Sequence, residues 1–422
     1  MREGWDTAKL ADVCQMIKRG VTPKYIEDGG VCVINQKCVR DHVINYELAR
    51  RHDIERKTVS EERYIKVGDI LVNSTGTGTL GRVAQIRQEP PELTTVDTHV
   101  TIVRPTPGKF FEDFFGYMLV KIEDEITLSG EGVSGQTELA RTTLENKFDV
   151  SYPRSISEQK QIVAILDEAF AGIDKAIANT QQNLANAREL FESYLNTIFT
   201  QKGEGWVEKP LGNVCDFLNG FAFKSKDSVQ SSNIQLIRMG NLYQNNLDLD
   251  RKPSFYPSNY KEEYSRYVLS EGDLIMSLTG TVDKEDYGFT VEIPKTERVL
   301  LLNQRIVKFI NIREDLIDRK YFLYCLKSKY FLEKLYKSAR GTRQANLSSV
   351  SMKELPIYFP NMDKQRCLVQ KFNSLESDKE NLETICQQKL AALTELKQAL
   401  LQKAFSGELT ADELPIKKEA AA

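Results

Sequence analysis

Between Ser155 and Lys202 the apolar side chains recur at Ile162, Leu166, Ala169, Ile173, Ile177, Leu184, Ala187, Phe191, Tyr194 and Ile198. The steps are mostly three and four residues, which puts them on one stripe of a helix, and the rest of that surface is Gln, Asn, Glu and Lys. The pattern predicts a coiled-coil seam on one long helix. Ser155 with Glu158 three residues on forms a capping box after Pro153, and Gly203 and Gly205 stop the helix. At ~1.5 Å per residue it would span roughly 70 Å. A lone stripe of that length needs a partner, and residues 361–405 offer one, with a seam through Leu368, Phe372, Leu375, Leu382, Leu393, Leu396 and Leu400, weakened by Lys379 and Lys389.

The partner is a second copy. SEQKQIV at 157–163 aligns with DKQRCLV at 363–369, setting Gln159 on Gln365, and the same offset of 206 pairs Leu195 with Leu401 and Phe199 with Phe405. The repeat extends beyond the helices. Trp5, Leu10, Val13 and Cys14 answer Trp206, Leu211, Val214 and Cys215; CVINQKCV at 32–39 answers QLIRMGNL at 235–242. KVGDILVNSTGT at 66–77 answers SEGDLIMSLTGT at 270–281, a buried strand after a Gly-Asp turn that ends in a Thr-Gly-Thr loop. The segment 134–153 answers 342–360, with Gln136 on Gln344 and Leu139 on Leu347. Short strands mixed with helices near 111–124 and 318–336 make each globule α+β, or mixed α/β, with strand order left open. The expected organisation is a globule at 1–152, a long helix at 153–203, a globule at 204–358, a second long helix at 359–407 and a disordered polar tail at 408–422. The two helices pair antiparallel, and the repeat implies a pseudo-twofold relation.

Composition narrows the class. The chain is 422 residues, 41% hydrophobic and 28% charged, as in ordinary soluble proteins of two or three domains. It has no apolar run long enough for a bilayer and no signal peptide at its start, so a cytoplasmic location is expected. Seven Cys without C-x-x-C, with only His42, His52 and His99 to join them, argue against a zinc site or a disulfide framework, and His99 reads as structural. The net charge of −3 hides a contrast: residues 1–152 hold 20 Lys and Arg against 24 Asp and Glu, whereas 204–358 hold 23 against 20. Residues 320–343 are the sharpest basic stretch, seven Lys and Arg against Glu333, interleaved with Tyr321, Tyr324, Tyr330 and Tyr336. Such a stretch is either a phosphate-facing surface or a solvated helix face with Tyr in the core.

Catalytic signals are scarce. Gly76-Thr77-Gly78-Thr79-Leu80-Gly81 fits G-x-G-x-x-G, but residues 82–87 read as strand, so no helix N-terminus waits for a pyrophosphate. A hairpin whose Thr hydroxyls and amides touch phosphate or base edges fits better. No P-loop, H-E-x-x-H, G-x-S-x-G or Asn/Asp-Pro-Pro-aromatic tetrapeptide occurs, and acidic pairs such as Glu61-Glu62 and Glu112-Asp113 read as solvated surface.

With LGNVCDF at 211–217, EGDLI at 271–275, LNQRI at 302–306, GTRQANLS at 341–348 and LLQKAFSGEL at 400–409, the chain resembles the DNA specificity subunit of type I restriction-modification enzymes. The first half departs where it offers Thr95-Val96-Asp97-Thr98-His99-Val100 in place of the Leu302-Asn303-Gln304 run. The resemblance implies a non-catalytic subunit with two target recognition domains, each reading half of a bipartite double-stranded DNA site. It further implies a helical ruler on which two methyltransferase subunits dock with S-adenosylmethionine, and restriction subunits, motor-nucleases using ATP and Mg, that join for cleavage. No cofactor is expected in this chain. DNA contacts are expected at Gln36, Lys37, Arg40, Thr75, Thr77, Arg82 and Gln136 in the first globule. In the second they are expected at Arg238, Asn241, Thr279, Thr281, Lys337, Arg340, Thr342, Arg343 and Gln344. Arg and Gln suit base edges, while Lys and Thr suit phosphate. Two other classes stay open: a coiled-coil scaffold that binds only proteins, favoured by the acidic first globule, and a self-contained methyltransferase or nuclease.

Overall fold

The structure, a computed structural model, describes residues 3–132, 137–281, 284–339 and 344–410, without the side chains of 344–346. The two long helices run Ile156–Gln201 and Met362–Ser406. The chain divides into two compact units, but not at the boundaries expected from composition. One unit takes residues 1–180 and 388–422, the other 181–387, so each holds a globule and a length of both helices. Each long helix is therefore shared between the two units.

The reason lies in where their apolar residues go. In the first unit Ile162, Val163 and Leu166 from the start of one helix join Leu401, Ala404 and Phe405 from the end of the other in a single core with Trp5, Phe114, Phe115 and Leu144. In the second, Leu368, Val369 and Phe372 join Phe191, Leu195 and Phe199 against Tyr321, Phe322 and Ile357. Positions that match by sequence thus play matching parts: the Phe405 ring packs at a tilt against Phe114 at 5.0 Å, and Phe199 against Tyr321 at 5.4 Å.

A buried glutamine fastens each helix start to its globule. Gln159 Oε1 accepts from Phe111 N at 2.7 Å, while its Nε2 donates to Pro153 O at 2.9 Å and Lys109 O at 3.3 Å. Gln365 repeats this with Asp318 N at 2.7 Å, Pro360 O at 2.8 Å and Leu316 O at 2.9 Å. Both glutamines have no exposed surface.

Along the second helix the seam differs from the expected one. Leu382 and Leu396 are exposed, and the stripe instead passes through the buried Cys386. Lys379 lies in the seam without interrupting it, its ammonium 5.1 Å from the Phe191 ring. Lys397 does the same 5.2 Å from Phe170, with its ammonium on Asp174. Long Lys stems cover apolar surface while their charge reaches solvent or a carboxylate. Within the second unit Arg188 meets Glu383 at 2.6 Å and Tyr194 meets Phe372 at 6.1 Å, so the helices run antiparallel there. The first long helix ends at Lys202, whose φ of 42° makes it the left-handed cap in place of Gly203. The second ends on Gly407, φ 82°, with Glu408 N bonded back to Lys403 O at 3.1 Å. Residues 408–410 of the expected disordered tail are ordered: Thr410 is buried, and its hydroxyl donates to Glu158, which also accepts from the Trp5 indole. The rest of that tail, 411–422, lies outside the described residues.

Each globule has a closing pair of strands, Trp5–Lys9 with Asp149–Pro153 and Val207–Pro210 with Pro356–Phe359. Each then has an antiparallel four-stranded sheet. In the first globule its order is Cys14–Arg19, Val100–Pro105, Ile70–Asn73, Val83–Gln85, and in the second Asp216–Asn219, Ile306–Ile310, Leu274–Ser277, Thr290–Glu292. A mixed sheet completes each. It is centred on the parallel pairs Val31–Ile34 with Thr94–Val96 and Ile234–Ile237 with Val299–Leu302. A buried ion pair ties equivalent strands, Arg104 to Asp69 at 2.7 Å and Lys308 to Asp273 at 2.5 Å.

Candidate nucleic-acid interface

The loops that match between the copies converge in each globule. After the strand Ile70–Asn73 the chain turns through Gly76, Gly78 and Gly81, all at positive φ, and returns as the strand Val83–Gln85. The glycine-rich run is thus a hairpin loop with no helix behind it. Thr75 pairs antiparallel with Glu138, and Leu139 N donates to Ser74 O at 2.8 Å. In the second globule Thr279–Thr281 pairs with Gln344–Asn346 in the equivalent register, and Leu347 N donates to Leu278 O at 2.9 Å. The third segment joins through the end of the buried strand: Asn73 Nδ2 donates to Gln36 O at 3.0 Å, and in the other copy the Thr279 hydroxyl donates to Met239, the residue matching Gln36.

Individual side chains then separate. Lys37, Arg40, Thr77, Thr281 and Lys337 are exposed, while Gln36 and Thr75 are half-buried. Arg40 precedes a tight turn with Asp41 and His42 both in the left-handed region, between the short strands Val39–Arg40 and Val43–Ile44. Thr75 Oγ1 meets His99 Nδ1 at 2.6 Å, and the Thr281 hydroxyl donates to Asp286 at 3.0 Å. Arg82 is half-buried and ties the hairpin to itself, donating to Gly78 O at 2.7 Å. Arg238 is exposed and donates to Lys252 O. Asn241 is only 1% exposed, and its side chain bonds Arg238 N, Asp248 O and Arg251 O, so it shapes its loop from inside and faces no solvent. Thr279 is likewise buried. Gln136, Arg340, Thr342 and Arg343 lie outside the described residues, as does the side chain of Gln344.

The basic stretch near 320–343 divides as well. Tyr321 and Tyr324 are core, the Tyr324 hydroxyl donating to Glu376 at 2.7 Å and Asn373 at 2.8 Å. Burial pushes the Tyr324 phenol up, and Glu376 adds to it. Lys320 pairs with Glu292. Lys327 sits 3.7 Å from Glu376, its ammonium pulled below the ordinary value by burial with the carboxylate opposing. Lys329 and Lys337 remain exposed for phosphate.

The sequence did not single out a basic recess in the acidic globule, lined by Lys18, Arg19, Arg63, Arg141 and Glu138. Arg19 bonds Glu138 at 2.5 Å and Leu139 O at 2.6 Å, and Arg63 bonds Gly20 O at 2.8 Å. Its members come from distant positions, so only the Lys18-Arg19 dipeptide was visible as a signal. The recess adjoins the Thr75–Glu138 pairing, where cations can meet a duplex backbone although the globule as a whole is acidic. Among the described residues no group of three or more His, Cys, Asp or Glu is arranged to hold a metal ion, and no helix is long and apolar enough to cross a membrane.

Two loop clusters on one repeated framework suit a protein that touches two stretches of nucleic acid, and comparison with known proteins agrees. The family described as the type I restriction modification DNA specificity domain matches residues 2–185 and 203–392. The specificity subunit of the type I restriction enzyme MjaVIII of Methanocaldococcus jannaschii is 22% identical over 402 residues, 89% of this chain and 87% of that one. The MjaIX specificity subunit of the same organism is 25% identical over 432 residues, covering 97% and 94%. Among solved structures, a chain from a study of complex assembly and conformational transition of the type I R-M system aligns over 97% of this chain and 99% of its own, at a TM-score of 0.72 and 17% identity. The HsdS subunit from Thermoanaerobacter tengcongensis aligns over 97% and 98% at a TM-score of 0.50 and 17% identity. With both halves matched and the fold shared, the chain belongs to the type I restriction-modification DNA specificity family, as a DNA-recognition subunit.

Proposed function

We propose that each globule reads one half of a bipartite site on double-stranded DNA, and that the helix pair fixes the unread spacer between the halves. The observation behind this reading is the loop cluster built twice from matching segments, with the same hydrogen bonds holding different side chains. Two copies of a reading surface related by internal pseudosymmetry suit two half-sites on a duplex, whose own strands are related by local twofold axes. The chain itself carries no catalytic step. Two methyltransferase subunits dock on the helical segments and supply S-adenosylmethionine for adenine methylation, and restriction subunits supply ATP- and Mg-dependent motor and nuclease activity in the cytoplasm. Phosphate neutralisation is shared with these partners, which fits a first globule whose Asp and Glu outnumber its Lys and Arg, with Lys18, Arg19, Arg63 and Arg141 gathered in one recess.

Single-molecule sequencing of the source genome for methyladenine, with the gene intact and deleted, tests the reading. A two-part motif with an unread gap, methylated only when the gene is present, is the expected result. Methylation unchanged by the deletion, in a host that expresses the partner subunits, would refute it.

A further inference from the structure

The two halves part in sequence where the first has Asp97-Thr98-His99 and the second Asn303-Gln304-Arg305, yet the backbone there is the same. Asp97 Oδ1 accepts from His99 N at 2.9 Å, and Asn303 Oδ1 from Arg305 N at 3.0 Å. Val100 N bonds Asp97 O at 3.2 Å, and Ile306 N bonds Asn303 O at 2.9 Å. Ser74 N donates to His99 O at 2.8 Å, and Leu278 N to Arg305 O at 2.9 Å, so each turn is fixed to the strand end that leads into the Thr-Gly-Thr loop. Parallel bridges from Val21 to Asp97 and from Phe221 to Asn303 hold the other side. His99 and Arg305 therefore occupy one position of one framework.

Both residues are exposed, and both stand beside the converging loops. The Thr75 hydroxyl engages His99 Nδ1, which orients the ring and leaves Nε2 as the nitrogen for a ligand. Among the described residues the Arg305 guanidinium makes no hydrogen bond or ion pair, so none of its five donors is taken there. An identical backbone with a different hydrogen-bonding side chain is what two domains need if they read different sequences on one scaffold. A guanidinium matches the O6 and N7 pair of guanine, whereas an imidazole offers a single nitrogen.

We propose that this turn is a specificity-determining position, at which His99 and Arg305 each contact a base edge in the half-site of their own globule, with Thr75 as the positioning residue for His99. The inference rests on the half-site reading and adds the residue that makes the choice.

The test uses the full chain assembled with its methyltransferase partners and two duplex libraries, each randomised in one half-site of the genomic motif and intact in the other. A good bidentate contact discriminates by about 1–3 kcal/mol, or roughly 5- to 150-fold between bases. Arg305→Ala should reduce that preference to below about threefold at one base pair of the second half-site and leave the first half-site profile as in wild type. Arg305→Lys, which keeps the charge but loses the fork, should weaken the same preference. His99→Arg should change the favoured base at one pair of the first half-site only, and Thr75→Val should blunt the wild-type preference at that pair. The unaltered half-site profile reports in each case that the chain is folded and assembled. Wild-type profiles for Arg305→Ala and His99→Ala, or a uniform loss of affinity across all sequences as from a phosphate grip, would overturn the inference and leave the half-site reading standing. A wild-type complex that selects no two-part site would overturn both.

Discussion

Replacing Gln159 with Leu removes the fastening between the first long helix and its globule without changing charge and with little change in volume. Three contacts go at once: the acceptor for Phe111 N at 2.7 Å and the donor to Pro153 O at 2.9 Å and Lys109 O at 3.3 Å. A hydrogen bond contributes about 1 kcal/mol net, but a buried partner left unpaired costs about 1–3 kcal/mol. The Phe111 amide and the Pro153 carbonyl lose close partners in an interior position, while the longer bond to Lys109 is worth less. The expected cost is therefore about 3–5 kcal/mol, confined to the unit formed by residues 1–180 and 388–422. Urea denaturation should show the unfolding of that unit moving to lower denaturant ahead of the other, breaking any single transition into two. Hydrogen exchange read by mass spectrometry should show peptides containing the Phe111 amide losing protection. Gln365→Leu should transfer the same signature to the Asp318 amide and the second unit. If both variants keep wild-type denaturation midpoints and amide protection, the glutamines do not hold helix to globule and the reasoning fails.

Arg104→Ala should cost about 3–5 kcal/mol in the first unit by urea denaturation, because Asp69, 1% exposed, would be left charged without its partner. Asp97 has its carboxyl pushed above the ordinary value by burial, against the opposing His99 amide and Tyr25 hydroxyl, so its ionisation weakens the folded state as pH rises through the unfolded and then the folded value. Asp97→Asn, the residue found at 303, should therefore raise the denaturation midpoint of the first unit at pH 7, with the gain shrinking as the solution is acidified; a gain that grows on acidification would contradict the assignment. Phe405→Ala, near the chain's end, should destabilise the first unit by about 3–5 kcal/mol, and Phe199→Ala the second by a similar amount, each read by hydrogen exchange in the helices Glu112–Lys121 and Arg319–Lys327 respectively.

What the sequence showed and what it hid have the same physical origin. Helix register is rigid, so an offset of 206 holds from Gln159 and Gln365 to Phe199 and Phe405, and the repeat is plain there. In the globules, loops of different length separate the strands, and the offset drifts from 203 at Asn35 and Arg238 to 204 at Thr75 and Thr279, 206 at His99 and Arg305, and 208 at Glu138 and Asn346. No run of identity extends across that drift to the turn at 97–99, which is why His99 reads as structural in sequence and emerges as the counterpart of Arg305 only through its hydrogen bonds. The exposed Leu382 and Leu396 misled for another reason: a stripe read from residue type ignores that a Lys stem can occupy the seam, as Lys379 and Lys397 do. Asn241 misled because an amide suited to reading adenine is equally suited to bonding a loop's own backbone. Domain boundaries were hidden most thoroughly, because composition follows chain order and the cores do not: each takes the start of one helix and the end of the other. A substitution that loosens the end of the second helix at Phe405 therefore acts on a globule core that holds Phe114, 405 − 114 = 291 residues earlier in the chain, and a chain cut at 203 would separate each globule from a helix segment that its core contains.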